Sequence, residues 1–221
     1  MKNERTDRTA VDVPRVRTPS PTRGRLIDAA LVEFSRHGFD GASTRAIATR
    51  AGCHQPQINY HFSSKQELWE AAVSLLLDEM VAGMAEVAEL ADPRERFILL
   101  IHRSVEFAAD RPELARIVMA EAMTPSLRLN WIVERFSRMA HAQVQEWWND
   151  MRRSGAGADI DSALVSHLLL GATTVLWANE PEFVMVTAIP GRRRDRIRAH
   201  ADALVQLFVV DVNESDVRPT P

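Results

Sequence analysis

Apolar residues recur three and four positions apart along almost the whole chain, the spacing of one face of an α-helix. Leu26, Ile27, Ala30, Leu31 and Phe34 make the first stripe and predict a helix over about 23–37. Gly38 ends it, since glycine takes the left-handed backbone of a helix C-terminus without steric cost, and Phe39 is placed to pack back. Ser43 is a ready cap for a short helix over 44–51, with Ile47, Ala48 and Ala51 inward and Gly52 at its end. A third helix follows over about 55–61, with Pro56 in the first turn, where the missing N–H costs nothing. Ser64 and Glu67 form a capping box for a fourth, running from Lys65 towards Leu90 with Leu68, Ala72, Leu75, Leu76 and Val87 inward.

The same period continues to the end. Pro93, Pro112 and Pro125 each stand near the start of a periodic run, and helices are expected over about 93–109, 112–123, 126–153, 160–179 and 192–211. Residues 154–157 and 181–191 read as loops. The short apolar run Phe183 to Ile189 is the one window with any strand character. The class is therefore all-α with about nine helices. Residues 1–21, rich in Arg, Thr and Pro, show no period and read as a disordered arm; 214–221 read as a disordered tail.

Composition narrows the function classes. Of 221 residues, 46% are hydrophobic and 26% charged, as in a globular domain. The lone Cys53 excludes an internal disulfide framework. It reads as a core residue, with oxidant sensing as the alternative. No apolar leader and no run of about 18 apolar residues are present, so a cytoplasmic protein with no membrane contact is expected. His102, His141, His167 and His200 are dispersed without metal-ligand spacing, and neither metal nor cofactor is expected. No nucleophile–base pair stands in a recognisable setting, which argues against an enzyme. The net charge of −3 hides an asymmetry. Residues 1–65 carry 11 Lys and Arg against 6 Asp and Glu, and the remainder 16 against 24. A basic end on an acidic body suits a chain that touches a polyanion at one end only. An overall acidic balance is a poor fit to a non-specific architectural DNA coat.

The segment STRAIATRAGCHQPQINYHFSSK, Ser43 to Lys65, places two short helices on either side of a glycine turn, the pattern of a helix-turn-helix. Ala48 and Ala51 let the second helix cross closely. Its outer face offers Gln55, Gln57 and Asn59, amides able to make paired bonds to adenine, with Tyr60 and His61 in reach of a phosphate or a thymine methyl. Thr44 and Lys65 open helices, where backbone N–H groups favour phosphate, and Arg45 adds charge nearby. A merely solvated polar face is the alternative.

From Thr22 to about Val73 the chain resembles the DNA-binding domain of the TetR family of bacterial regulators. The resemblance rests on Ala29-Ala30 and Phe34, Gly38-Phe39, Ile47-Ala48, Ala51-Gly52, and above all Ile58-Asn59-Tyr60-His61-Phe62 followed by Ser64-Lys65 and Leu68. It implies a three-helix DNA-binding domain over 22–73 and a helical bundle over 74–213 for effector binding and dimerisation. It implies that Gln55, Pro56, Gln57, Asn59 and Tyr60 face DNA and that His61, Lys65, Thr44 and Arg45 meet phosphates. His54 departs from the usual Ser or Thr cap, and Asn59 from a commoner aromatic residue. Arg23 is expected on DNA. Arg15 and Arg17 are open between DNA contact and a solubilising tail. Arg192, Arg193 and Arg194 read as a solvated helix start, with a phosphate or acidic ligand as the alternative.

By the same resemblance the partners are operator double-stranded DNA, a small and largely apolar effector, and a second copy of the chain. Helices 160–179 and 192–211 carry more apolar residues than one buried stripe needs, so Leu164, Leu168, Ala172, Val175, Leu204 and Phe208 are expected at a dimer interface. His102, Phe107, Met119, Met123, Trp131, Phe136, Met139 and Trp177 are candidates to line an effector pocket, with plain core the alternative for each. The implied function is a repressor released from a palindromic operator by its effector, with activation as the alternative.

Overall fold

A computed structural model describes residues 21–189 and 194–210. Residues 1–20 of the expected arm, Arg192 and Arg193, and the tail lie outside the described residues, and Pro21, read as the arm's last residue, opens the first helix. The order is α1 (Pro21–Gly41), α2 (Thr44–Arg50), α3 (Pro56–His61), α4 (Lys65–Gly83), α5 (Ala85–Glu89), α6 (Pro93–Asp110), α7 (Pro112–Ala122), α8 (Leu127–Ile132), α9 (Arg138–Arg153), α10 (Ser162–Ala178), α11 (Glu180–Thr187) and α12 (Arg194–Phe208). The class is all-α, as the periodicity predicts.

Among the described residues twelve helical segments stand where about nine are expected, for three local reasons. The 65–90 stretch breaks after Gly83, and a single turn, α5, follows. The 126–153 rod contains a π-helical stretch, Val133–Ser137, where the Arg138 N–H reaches back five residues to the Val133 carbonyl. Residues 181–191 are the plain correction: the stretch read as a loop with strand character contains α11. Pro181 occupies its first turn, so a proline taken as punctuation is a helix start.

The helix ends behave as the sequence suggests. Gly38 takes φ 67°, ψ 178° and interrupts α1. Phe39 then folds back onto Phe34, with ring centroids 5.9 Å apart, and meets Trp69 edge-on. The side chains of Ser43, Asp92, Ser126 and Asp161 each accept a backbone N–H at a helix start.

Two apolar clusters hold the chain. The first joins α1–α4 but also takes Leu114 and Ile117 from α7 and Ile132 from α8, with Phe107, Trp131 and Phe136 at its edge. The second joins α6, α9, α10 and α12 around Phe97, Trp148, Trp177 and Phe208. The expected division at residue 73 is thus no gap: α4 runs through it, and the first cluster spans both sides. No single described helix is long and apolar enough to cross a membrane.

Candidate nucleic-acid interface

α2 is fixed from behind. Ile47 and Ala48 are buried, and Glu33 on α1, only 6% exposed, accepts from Arg50 Nε at 2.8 Å. That ion pair ties α2 to α1 and is not evident from the sequence. Its sequence signal is slight, because an acid on an otherwise apolar face looks like an irregularity in the stripe. Gly52 takes φ 66° and turns the chain. The Cys53 N–H then bonds the Ala48 carbonyl, and half-buried Cys53 packs against the first cluster.

α3 is short and anchored by one internal side chain, Ile58, with Phe62 just beyond it. Apart from His61, everything else on it faces out. Gln55, Pro56, Gln57, Asn59 and Tyr60 are all exposed, Tyr60 at 78%. His61 is half-buried and lies edge-on to Tyr60 at 4.9 Å.

The start of α3 shows how the chain manages without a Ser or Thr cap. No side chain at the N-cap, Gln55, caps the helix. Instead Gln57 Oε1 accepts from the His54 N–H at 3.0 Å, a reach back of three residues like the second half of a capping box. Gln55 Nε2 donates to Thr44 Oγ1 at 3.3 Å, linking the starts of the two helices. Two of the three outward amides therefore also hold the motif in shape. Asn59 makes no such bond among the described residues and presents its whole amide.

The candidate phosphate anchors divide. Arg45 is exposed. Lys65 Nζ lies 4.6 Å from the Phe39 ring centre and 3.4 Å from the Asp40 carbonyl, so it braces the helix ends as it waits near the surface. The Arg23 guanidinium covers the Phe62 ring at 5.1 Å. Its charge also acts on Glu67, whose carboxylate accepts from both the hydroxyl and the N–H of Ser63. Those two bonds, and then Arg23, hold the Glu67 pKa below its ordinary value. Ser64 Oγ accepts the Glu67 N–H, completing the cap of α4.

The expected effector-pocket residues do not form one cavity. Phe107, Trp131 and Phe136 pack on the first cluster, whereas Trp177 is fully buried in the second. Met123 and Met139 are 83% and 59% exposed, which corrects their assignment as lining. His102 lies 3.4 Å from Asp202, and Met119 is half-buried on α7. A periodic stripe shows that a residue can be buried, not against which neighbour. A cleft of about 410 Å³ does open at the seam between the end of α1 and α7–α8, lined by Phe39, Asp40, Glu121 and Arg128 among others, and contains none of the eight. Arg128 stacks on Phe39 at 3.9 Å and bonds the buried Glu121 at 2.7 Å. Among the described residues no three His, Cys, Asp or Glu lie close enough to hold a metal ion.

The expected dimer residues split cleanly. Leu164, Leu168 and Val175 are exposed along α10, and Ala172 is half-buried beside them. Leu204 and Phe208 are a correction: both are buried in their own chain's core, leaving no surface for a partner. Leu207 and Val210, on the other side of α12 and its end, are the exposed large apolar residues there.

Comparison with known proteins places this geometry. Residues 26–72 match the bacterial regulatory proteins of the tetR family. A transcriptional repressor of Streptomyces coelicolor, SCO4008, is 33% identical over 107 residues, 48% of this chain and 53% of that one. The transcriptional regulator BetI of Agrobacterium fabrum is 30% identical over 186 residues, 78% of this chain and 88% of that one. The chain spans about half the length of the first curated relatives it matches. In fold it resembles the Mycobacterium tuberculosis regulator KstR2, with TM-score 0.69 and 21% identity over 88% of this chain and 98% of that one. A match at the helix-turn-helix and a relative aligned through the body agree with the arrangement of α1–α4 on a helical bundle: the chain belongs to the TetR family of bacterial regulatory proteins.

Proposed function

We propose that the chain is a homodimeric, sequence-specific repressor that leaves a palindromic operator when a small, largely apolar molecule binds its helical body. The observation that carries this is the outer face of α3: Asn59 and Tyr60 project from a helix pinned behind by Ile58, beside the exposed Arg45 of α2. Such a helix enters a major groove, and two copies related by a two-fold axis read half-sites about 34–36 Å apart. The exposed stripe of Leu164, Leu168 and Val175 supports the two-fold partner. The Streptomyces relative is named a repressor, and repression is the reading adopted for this chain.

The route from body to reading head is the shared first cluster. Arg128 on Phe39 and Trp131 on Trp69, the latter pair 5.5 Å apart, join α8 to the ends of α1 and α4. An effector that prefers a different setting of α7 and α8 shifts the head with them, by as much as its affinities for the two settings differ.

A gel shift with the DNA upstream of the chain's own gene tests the proposal. The expected result is a preferred site of about 15–30 bp over random DNA at physiological salt. Equal binding to both rejects it.

A further inference from the structure

Among the described residues, four buried side-chain nitrogens lack a hydrogen-bond partner: Trp69 Nε1, Trp177 Nε1, Arg196 Nε and His200 Nδ1. Three of the four come from one corner, where the end of α10 meets α11 and the start of α12. The Trp177 and His200 rings lie 5.7 Å apart. Arg196 stands one turn before His200 on α12, and its guanidinium lies 5.4 Å from the Phe183 ring centre on α11. Trp177 is fully buried. Folded interiors pair nearly all such groups with protein, ordered water or a ligand, so three unpaired in one corner mark a place where a group from outside the chain can bond.

The atoms define that partner. Trp177 Nε1–H is a donor only. His200 bonds the backbone of Ala172, and burial holds its pKa below the ordinary value, so its ring is neutral at physiological pH. Because Nδ1 is the unpaired nitrogen, Nε2 carries the proton and Nδ1 is a bare acceptor. One hydroxyl group accepts from the first and donates to the second. Arg196 Nε–H is a charged donor, for which a carboxylate is the fitting acceptor. We propose that this corner binds a small amphipathic hydroxy acid, its hydroxyl between Trp177 and His200 and its carboxylate on Arg196. The proposal deepens the ligand-responsive reading above and rests on it for its role. A route outward exists: Arg116 Nε on α7 donates at 2.9 Å to the carbonyl of Ala178, next to Trp177, and α7 packs on α1.

Calorimetry on the full DNA-free chain tests it, with 3-hydroxydecanoate, decanoate and 1-decanol as probes. The hydroxy acid is expected to bind about tenfold or more tighter than either of the others, and Trp177→Phe and Arg196→Gln to remove that advantage. Equal binding of the three probes, no binding at millimolar concentration, or an advantage intact in both variants overturns it. Should Trp177→Phe not fold, histidine ring ¹⁵N shifts in the unaltered chain decide. An Nδ1 signal that moves with the hydroxy acid supports the site, and all seven histidines unmoved refute it. No DNA enters these measurements, so failure here leaves the operator reading to its own test.

Discussion

The reading head and the helical body use their apolar residues in opposite ways. Through α1–α3 and the first half of α4, the large apolar side chains turn inward, and Tyr60 is the large one left exposed. In the body, α10 to α12 bury one side and leave Leu164, Leu168, Leu170, Val175, Met185 and Leu207 at the surface. The first surface is finished and polar, suited to a hydrated polyanion. In the proposed dimer the second is half of an interface. Inside, the contrast disappears, because head and body share the first cluster through Leu114, Ile117 and Ile132.

The largest expected effect tests the unfinished surface. Leu168→Glu puts an unpaired carboxylate into the stripe of each copy, at about 3–5 kcal/mol apiece once buried. Sedimentation should show monomers, and a dimer of unchanged strength would break the comparison. Next comes the shared interior. Trp131→Ala, on the body side, should cost about 3–5 kcal/mol, and hydrogen exchange should quicken in α1 and α4 of the head as well as in α8. Protection in α1 unchanged would show that the seam is not a common core.

Within the head the effects are smaller and differ in kind. Asn59→Ala should reduce discrimination at one base position by about 1–3 kcal/mol. Gln57→Ala removes the bond to the His54 N–H and should weaken all sequences together by about 1 kcal/mol. If Gln57→Ala changes base preference instead, its amide reads DNA. Lys65→Ala should leave preference alone and lower the salt slope by about one. The smallest effect is acidic. The Glu67 pKa is lowered in the fold, so its contribution is complete above the usual carboxylate value of 4.5 and is lost as pH falls through the lower folded value. Amide exchange at Ser63 should quicken over that interval and be pH-insensitive there in Glu67→Gln.

How much of this was legible depended on whether the cause was local. Gly38 and Gly52 both take the positive φ their positions suggested, and the Ser43 and Ser64 caps form as spaced. These depend on residues a few places apart. Leu204 and Phe208 show the limit: the period marks them as apolar-faced, but only the packing of α12 on α6 and α10 decides that they turn inward while Leu207 turns out. α11 is not legible in the sequence because Pro181 and the run after it satisfy loop and strand signals equally well. The division of labour among the amides was unreadable for another reason. Gln55 and Gln57 are held by Thr44 and His54, and side-chain type alone does not reveal a partner.

Selection of binding sites from a random DNA library, run in parallel for the unaltered chain and Asn59→Ala, tests the central claim most directly. The unaltered chain should enrich an inverted repeat with half-sites about one helical turn apart, and the variant should relax one position in each half-site. No enriched sequence, or the same sequence from both proteins, would contradict the assignment of α3 as the element that reads DNA.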